Sequence, residues 1–105
     1  MRKILALPTF LILVAAGAAA ADVNAGKTAY DKACKSCHGA DGTPNPAMAK
    51  ALKVDMRDLK SPEVQKSDDD IRKAITAGVG KMRPVASVSG DSVNDVVAYI
   101  HTLKK

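Results

Sequence analysis

The stretch Cys34-Lys35-Ser36-Cys37-His38 restricts this chain more than any other part of it. Two cysteines three positions apart, with a histidine directly after the second, form the pattern through which a c-type haem is joined to protein by thioether bonds. On a helical turn the three side chains fall at i, i+3 and i+4 and leave from one face. Two sulfurs then reach the two vinyl groups along one porphyrin edge, and the imidazole points beneath the ring at the iron.

Other uses of the same residues fit less well. A thioredoxin-like redox pair sits in a βαβ frame, and nothing ahead of Cys34 reads as a strand. A structural zinc site takes four ligands, whereas the only Cys or His outside the motif is His101. A disulfide between Cys34 and Cys37 would close a tiny loop and leave His38 without a role. The motif therefore implies one covalent haem c, attached through Cys34 and Cys37, with His38 as an axial iron ligand.

Arg2 and Lys3, the apolar run from Ile4 to Val14 and the small residues Ala18 to Ala21 have the order of a secretory leader. The cut is expected beside Ala21, which gives a leader over 1–21, one mono-haem domain over 22–105 and a periplasmic location. As a membrane span the apolar run is short and interrupted by Pro8, so stable membrane insertion is not expected. A domain this small has a marginal core on its own. A large flat cofactor would supply apolar mass, in keeping with a sequence that holds two tyrosines, one phenylalanine and no tryptophan.

Charge excludes one class of partner. The chain has 16 basic and 11 acidic side chains, and loss of Arg2 and Lys3 with the leader trims the excess from five to three. The lysines are scattered and the interleaved aromatics that stack bases are missing, so nucleic acid is not a partner.

From Asp22 onward the pattern is helical. Asp22 or Asn24 can cap a first helix in which Val23, Gly26, Tyr30, Ala33 and Cys37 recur at spacings of three and four. Gly26 costs about 1 kcal/mol against alanine inside a helix, which a close helix crossing would explain. Residues 39–46 are rich in turn formers and make a loop whose carbonyls can accept the second ring N–H of His38. Asn45 caps and Pro46 starts a short helix to about Leu52. Ser61-Pro62-Glu63 can begin another turn. Ser67 followed by Asp68, Asp69 and Asp70 is a capping serine with three carboxylates in the positive first turn of a helix that buries Ile71, Ala74 and Ile75 and ends at Gly78. The last helix runs from Ser89 or Asp91 to Lys104 with Val93, Val96, Val97, Ile100 and Leu103 as its buried stripe. The fold class is all-α.

The second axial position has four candidates, Met48, Met56, Met82 and His101. A loop delivers a thioether without bending a helix, and Met82 alone lies in a loop bracketed by glycine and proline, which favours it. Met48 and Met56 read as core filler, and His101 as a partly exposed residue on the margin of the last helix.

With these features in place the chain resembles the small bacterial class I cytochromes c, including the c6-type group, over nearly all of residues 22–105. The resemblance rests on Gly26 and Tyr30 ahead of the motif, the Asn45-Pro46 step, the Lys81-Met82 loop and the closing helix with Val96, Tyr99 and Ile100. It implies short helices and loops wrapped around one haem, and first and last helices crossing where Gly26 packs on Val96 and Tyr99. It also implies His38 and Met82 as axial ligands. The chain departs from the family pattern in placing Arg83 between Met82 and Pro84.

The function so implied is a periplasmic one-electron carrier between redox proteins, monomeric and not an enzyme. Lys32, Lys35, Lys81 and Arg83 lie in sequence beside the haem contacts and suit docking to an acidic surface. The alternative is a gas or peroxide binder whose distal methionine is labile or absent.

Overall fold

Asp22 starts the first helix by turning its carboxylate back on the chain, where Oδ1 accepts from the amides of Asn24 at 2.9 Å and Ala25 at 3.1 Å. The helix it caps, α1, covers Val23–Ala33. After a break at Cys34, α2 covers Lys35–His38, α3 Pro46–Leu52, α4 Pro62–Gln65, α5 Asp68–Ala77 and α6 Asp91–His101. The computed structural model describes residues 20–103. The leader expected over 1–21 lies outside them apart from Ala20 and Ala21, and so do Lys104 and Lys105. No β-strand occurs among the described residues, only an isolated bridge between Val79 and Met82. No helix among them is long and apolar enough to cross a membrane.

The expected all-α architecture is present, with α1 packed most extensively on α6. Gly26 makes that crossing possible. A Cβ there would collide with the Asp95 carbonyl oxygen and come within 3.0 Å of the Tyr99 Cβ, so the first helix can lie against α6 only without a side chain at this point. Tyr99 is the expected neighbour, while the closest backbone is that of Asp95 rather than Val96. Four residues along α1, the fully buried Tyr30 sets its ring 5.1 Å from that of Tyr99 at 59°, a tilted aromatic pair. The Asp22 amide donates to Asp95 Oδ1 at 2.8 Å and ties the start of α1 to α6.

Tyr30, Cys34, Val64, Ile71, Ile75, Val88, Val93, Val96, Val97, Tyr99 and Ile100 make one apolar core, so the stripe expected on α6 is buried as far as Ile100. Leu103 packs against it from the turn beyond the helix, which ends at His101 and not at Lys104 as expected. Asn45 and Ser61 cap α3 and α4 through their side chains. Ser67 does not cap α5: its backbone sits at φ −115°, ψ 61°, and no side-chain bond reaches the helix.

Candidate haem-binding site

The expected continuous helix through Cys37 is interrupted at Cys34, which has φ −119° and serves as the end of α1 and the start of α2. The break keeps the motif together. The Cys34 carbonyl oxygen accepts from the amides of Cys37 at 3.3 Å and His38 at 2.9 Å, so the three residues share a single turn. Gly39 then ends α2 at φ 72°, a conformation glycine adopts without strain.

Two residues from outside hold this turn. Tyr30 donates its hydroxyl proton to the Gly39 carbonyl oxygen at 2.7 Å, and burial raises its phenol above the ordinary range, so it remains a donor. From the opposite side of the sequence, the Asn45 amide donates to the Cys37 carbonyl at 2.9 Å and Nδ2 to that of Ser36 at 3.2 Å. Asn45 Oδ1 meanwhile accepts from Ala47 and Met48. Sequence reasoning found only this capping role, because a bond back across nine residues has no local signature.

Both thiols are free, Cys34 buried and Cys37 half-buried. Burial, and then the neighbouring Cys37, push the Cys34 thiol up to about 11. That is the reverse of a redox-active dithiol, whose attacking sulfur has a depressed pKa. The described residues bring no three His, Cys, Asp or Glu side chains together as a metal-holding group, so a zinc site finds no ligand set.

His38 Nδ1 is the one buried side-chain nitrogen or oxygen without a hydrogen-bond partner among the described residues, and burial lowers the His38 pKa. The carbonyl expected from loop 39–46 does not reach it. Leaving such an atom unpaired costs about 1–3 kcal/mol. The apolar side chains that follow are also incompletely covered by protein. Met48, Val54, Met56 and Leu59 are half-buried and Leu52 is exposed, so no side chain of 35–63 belongs to the buried core, although Leu59 packs against its edge. Met48 and Met56 are thus not core filler, because no buried cluster forms around them. Two free thiols on one turn, a buried imidazole with an unpartnered nitrogen and an apolar wall only half covered by protein fit a covalently attached flat macrocycle.

Met82 is half-buried in the loop where it was expected. The turn around it closes on itself, with Val79 N–H donating to the Met82 carbonyl at 3.0 Å and Met82 N–H to that of Val79 at 2.9 Å. His101 is partly exposed, as expected, yet it is engaged at both ring nitrogens by Gln65 and Asp68.

Fold and site together define a small all-α c-type cytochrome domain. A family model described as cytochrome C oxidase, cbb3-type, subunit III matches residues 21–100, and the chain belongs to that family. Among solved structures it is similar to KustC0563 c-type cytochrome, with 30% identity, a TM-score of 0.63, and coverage of 76% of this chain and 98% of that one. No curated protein matches the chain. The protein is an electron-transfer cytochrome carrying one covalent haem c.

Proposed function

We propose that this protein is exported by a leader over 1–21, cut after Ala21, and works in the periplasm as a one-electron carrier of the class I type. Its haem c is held by thioethers at Cys34 and Cys37 and ligated by His38 and Met82. The observation that carries the reading is the bracing of the Cys34–His38 turn by Tyr30 and Asn45, which holds two thiols and an imidazole on one rigid turn. When bound, the haem supplies a one-electron couple, and methionine ligation raises its potential relative to a second histidine. The chain's own residues do the rest. His38 and Met82 would be the two protein ligands of the iron, leaving it no open position for a substrate. The core contributed by α1 and α6 fixes the motif, so little rearrangement accompanies a change of charge.

The partners are redox proteins with acidic docking surfaces. Lys32, Lys35 and Arg83 have no ion-pair partner among the described residues, which leaves their charge available to such a surface. Electrostatic steering is screened by salt, so association slows as ionic strength rises. The description of the family favours a second reading, in which the domain is held on a larger oxidase instead of diffusing.

Ferric holoprotein should show a long-wavelength sulfur-to-iron charge-transfer band, and Met82→Ala should abolish it and lower the midpoint potential. A band that survives the substitution refutes the ligand assignment. Ready binding of carbon monoxide to the unmodified ferrous protein would instead favour a gas binder. Elution of the native protein as part of a membrane oxidase, and not alone, would favour the second reading.

A further inference from the structure

Lys81, the residue before Met82, reaches back into the protein. Its Nζ donates to the carbonyl oxygen of Leu52 at 2.5 Å. Leu52 is the last residue of α3, where carbonyls have run out of helical amides and a cation suits the negative end of the helix. The chain turns away there through Lys53, in left-handed conformation at φ 54°. At the other end of α3 stands Asn45, bonded to the carbonyls of Ser36 and Cys37. A continuous line of bonded groups therefore runs from the turn carrying His38, through Asn45 and along α3, to Leu52 and Lys81.

The loop carrying Met82 has few other restraints at its tip. Its base is fastened to α5, with Gly78 N–H donating to the Ala74 carbonyl at 3.1 Å and Val85 N–H to that of Ile75 at 2.7 Å. Above the base, Val79 is 63% exposed and an added Cβ on Gly80 would meet nothing within 4 Å. Among the described residues, the bond from Lys81 to Leu52 is the one hydrogen bond that leaves residues 79–83 for another element.

We propose that Lys81 is a positioning residue for the distal ligand. It pins the tip of the Met82 loop to α3 and, through Asn45, to the segment that presents His38, keeping the two axial side chains at a fixed separation. The inference rests on Met82 being that ligand. It also removes Lys81 from the docking cations, because its ammonium is committed within the molecule.

Titration of the ferric holoprotein with imidazole tests it, since imidazole binds iron only when the thioether lets go. Lys81→Met keeps the aliphatic stem and loses the donor. The apparent imidazole affinity should rise about tenfold, the effect of one charge-assisted hydrogen bond at an exposed site. Lys81→Arg, which can still donate, should stay within about twofold of the native protein, and so should Lys73→Met, which removes a cation elsewhere. The proposal is overturned if Lys81→Met binds imidazole like the native protein, if Lys81→Arg behaves like Lys81→Met, or if Lys73→Met behaves like Lys81→Met. Met82→Ala separates the two readings. A charge-transfer band that persists in Met82→Ala overturns both, whereas its loss there with unchanged imidazole affinity in Lys81→Met overturns the role of Lys81 alone.

Discussion

Tyr30 donates its phenolic proton to the carbonyl oxygen of Gly39, nine residues away and immediately after His38, the last residue of the Cys34–His38 motif. The ring belongs to the α1–α6 core while the hydroxyl holds the motif, so the packing that stabilises the fold also orients the site. Tyr30→Phe keeps the ring and strips the carbonyl of its donor. The expected cost is about 1–2 kcal/mol, a fall in melting midpoint of about 5–10 °C for a domain of this size. Thermal unfolding of the holoprotein followed by far-ultraviolet circular dichroism checks this, and an unchanged midpoint would show that the bond contributes nothing.

Gly26→Ala should be more damaging than its helix propensity suggests. Alanine is the better helix former by about 1 kcal/mol, so an isolated α1 would gain from the change. In the folded protein the new methyl would collide with the Asp95 carbonyl oxygen, and it would lie 2.5 Å from the Asp95 carbonyl carbon. Both contacts are backbone and cannot rotate away. The helices must separate, at a cost of about 3 kcal/mol. Urea denaturation of the two proteins should show a clearly lower midpoint for the variant, and a variant as stable as the native protein would mean that α1 and α6 do not cross so closely.

The elements legible in the sequence are those whose cause is local. Asp22, Asn45 and Ser61 cap helices because a side-chain oxygen lies two or three residues from the amides it serves. The Cys34 to His38 spacing is likewise a property of one turn. Ser67 shows how a local rule is overridden: the following Asp68 is drawn to His101, 33 residues on, and Ser67 is left in a conformation that cannot cap. The break at Cys34 leaves no mark in the sequence because the apolar spacing of three and four continues across it. Tyr30 to Gly39, Lys81 to Leu52 and Gln65 to Ile100 join positions related only by the finished fold. None of them changes the periodicity from which the helices were read.

Asp41 gives the site region a dependence on acid. The Thr43 amide donates to its Oδ1 at 3.0 Å, and the Lys60 ammonium lies 3.3 Å from Oδ2. First the Thr43 amide, then the Thr43 side chain and the Lys60 ammonium, hold the carboxyl down at about 2, against an ordinary value of 3.8. A group depressed in the folded state stabilises it above the unfolded pKa and stops doing so as pH falls through the folded one. The contribution of Asp41 is therefore complete above about pH 4 and is lost between about 4 and 2. Asp41→Asn should melt below the native protein at pH 6, with the gap narrowing through that window. The group is exposed, so the gap will be small, and a gap that widens on acidification would reverse the assignment.

Gln65 joins three parts of the chain, the segment before α4, α4 itself and the end of α6, and its substitution separates two accounts of why it is there. Nε2 donates to the carbonyls of Leu59 at 2.7 Å and Ile100 at 3.0 Å, while Oε1 lies 2.8 Å from His101 Nδ1. Both N–H groups of the amide are used, so Oε1 is an acceptor and the proton between them belongs to His101. Gln65→Leu preserves bulk but leaves the Leu59 carbonyl and a ring N–H without a partner, while the Ile100 carbonyl keeps the Leu103 amide at 3.0 Å, at a cost of about 2 kcal/mol. Gln65→Glu is the sharper probe. It improves the acceptor facing His101 but turns an oxygen toward the two carbonyls, so if bridging α4 to the end of α6 is the main contribution, Glu should be at least as destabilising as Leu. Denaturation midpoints of the two variants decide between the accounts. A glutamate variant more stable than the leucine one would assign the larger share to His101, and a double-mutant cycle with His101→Ala would measure that coupling directly.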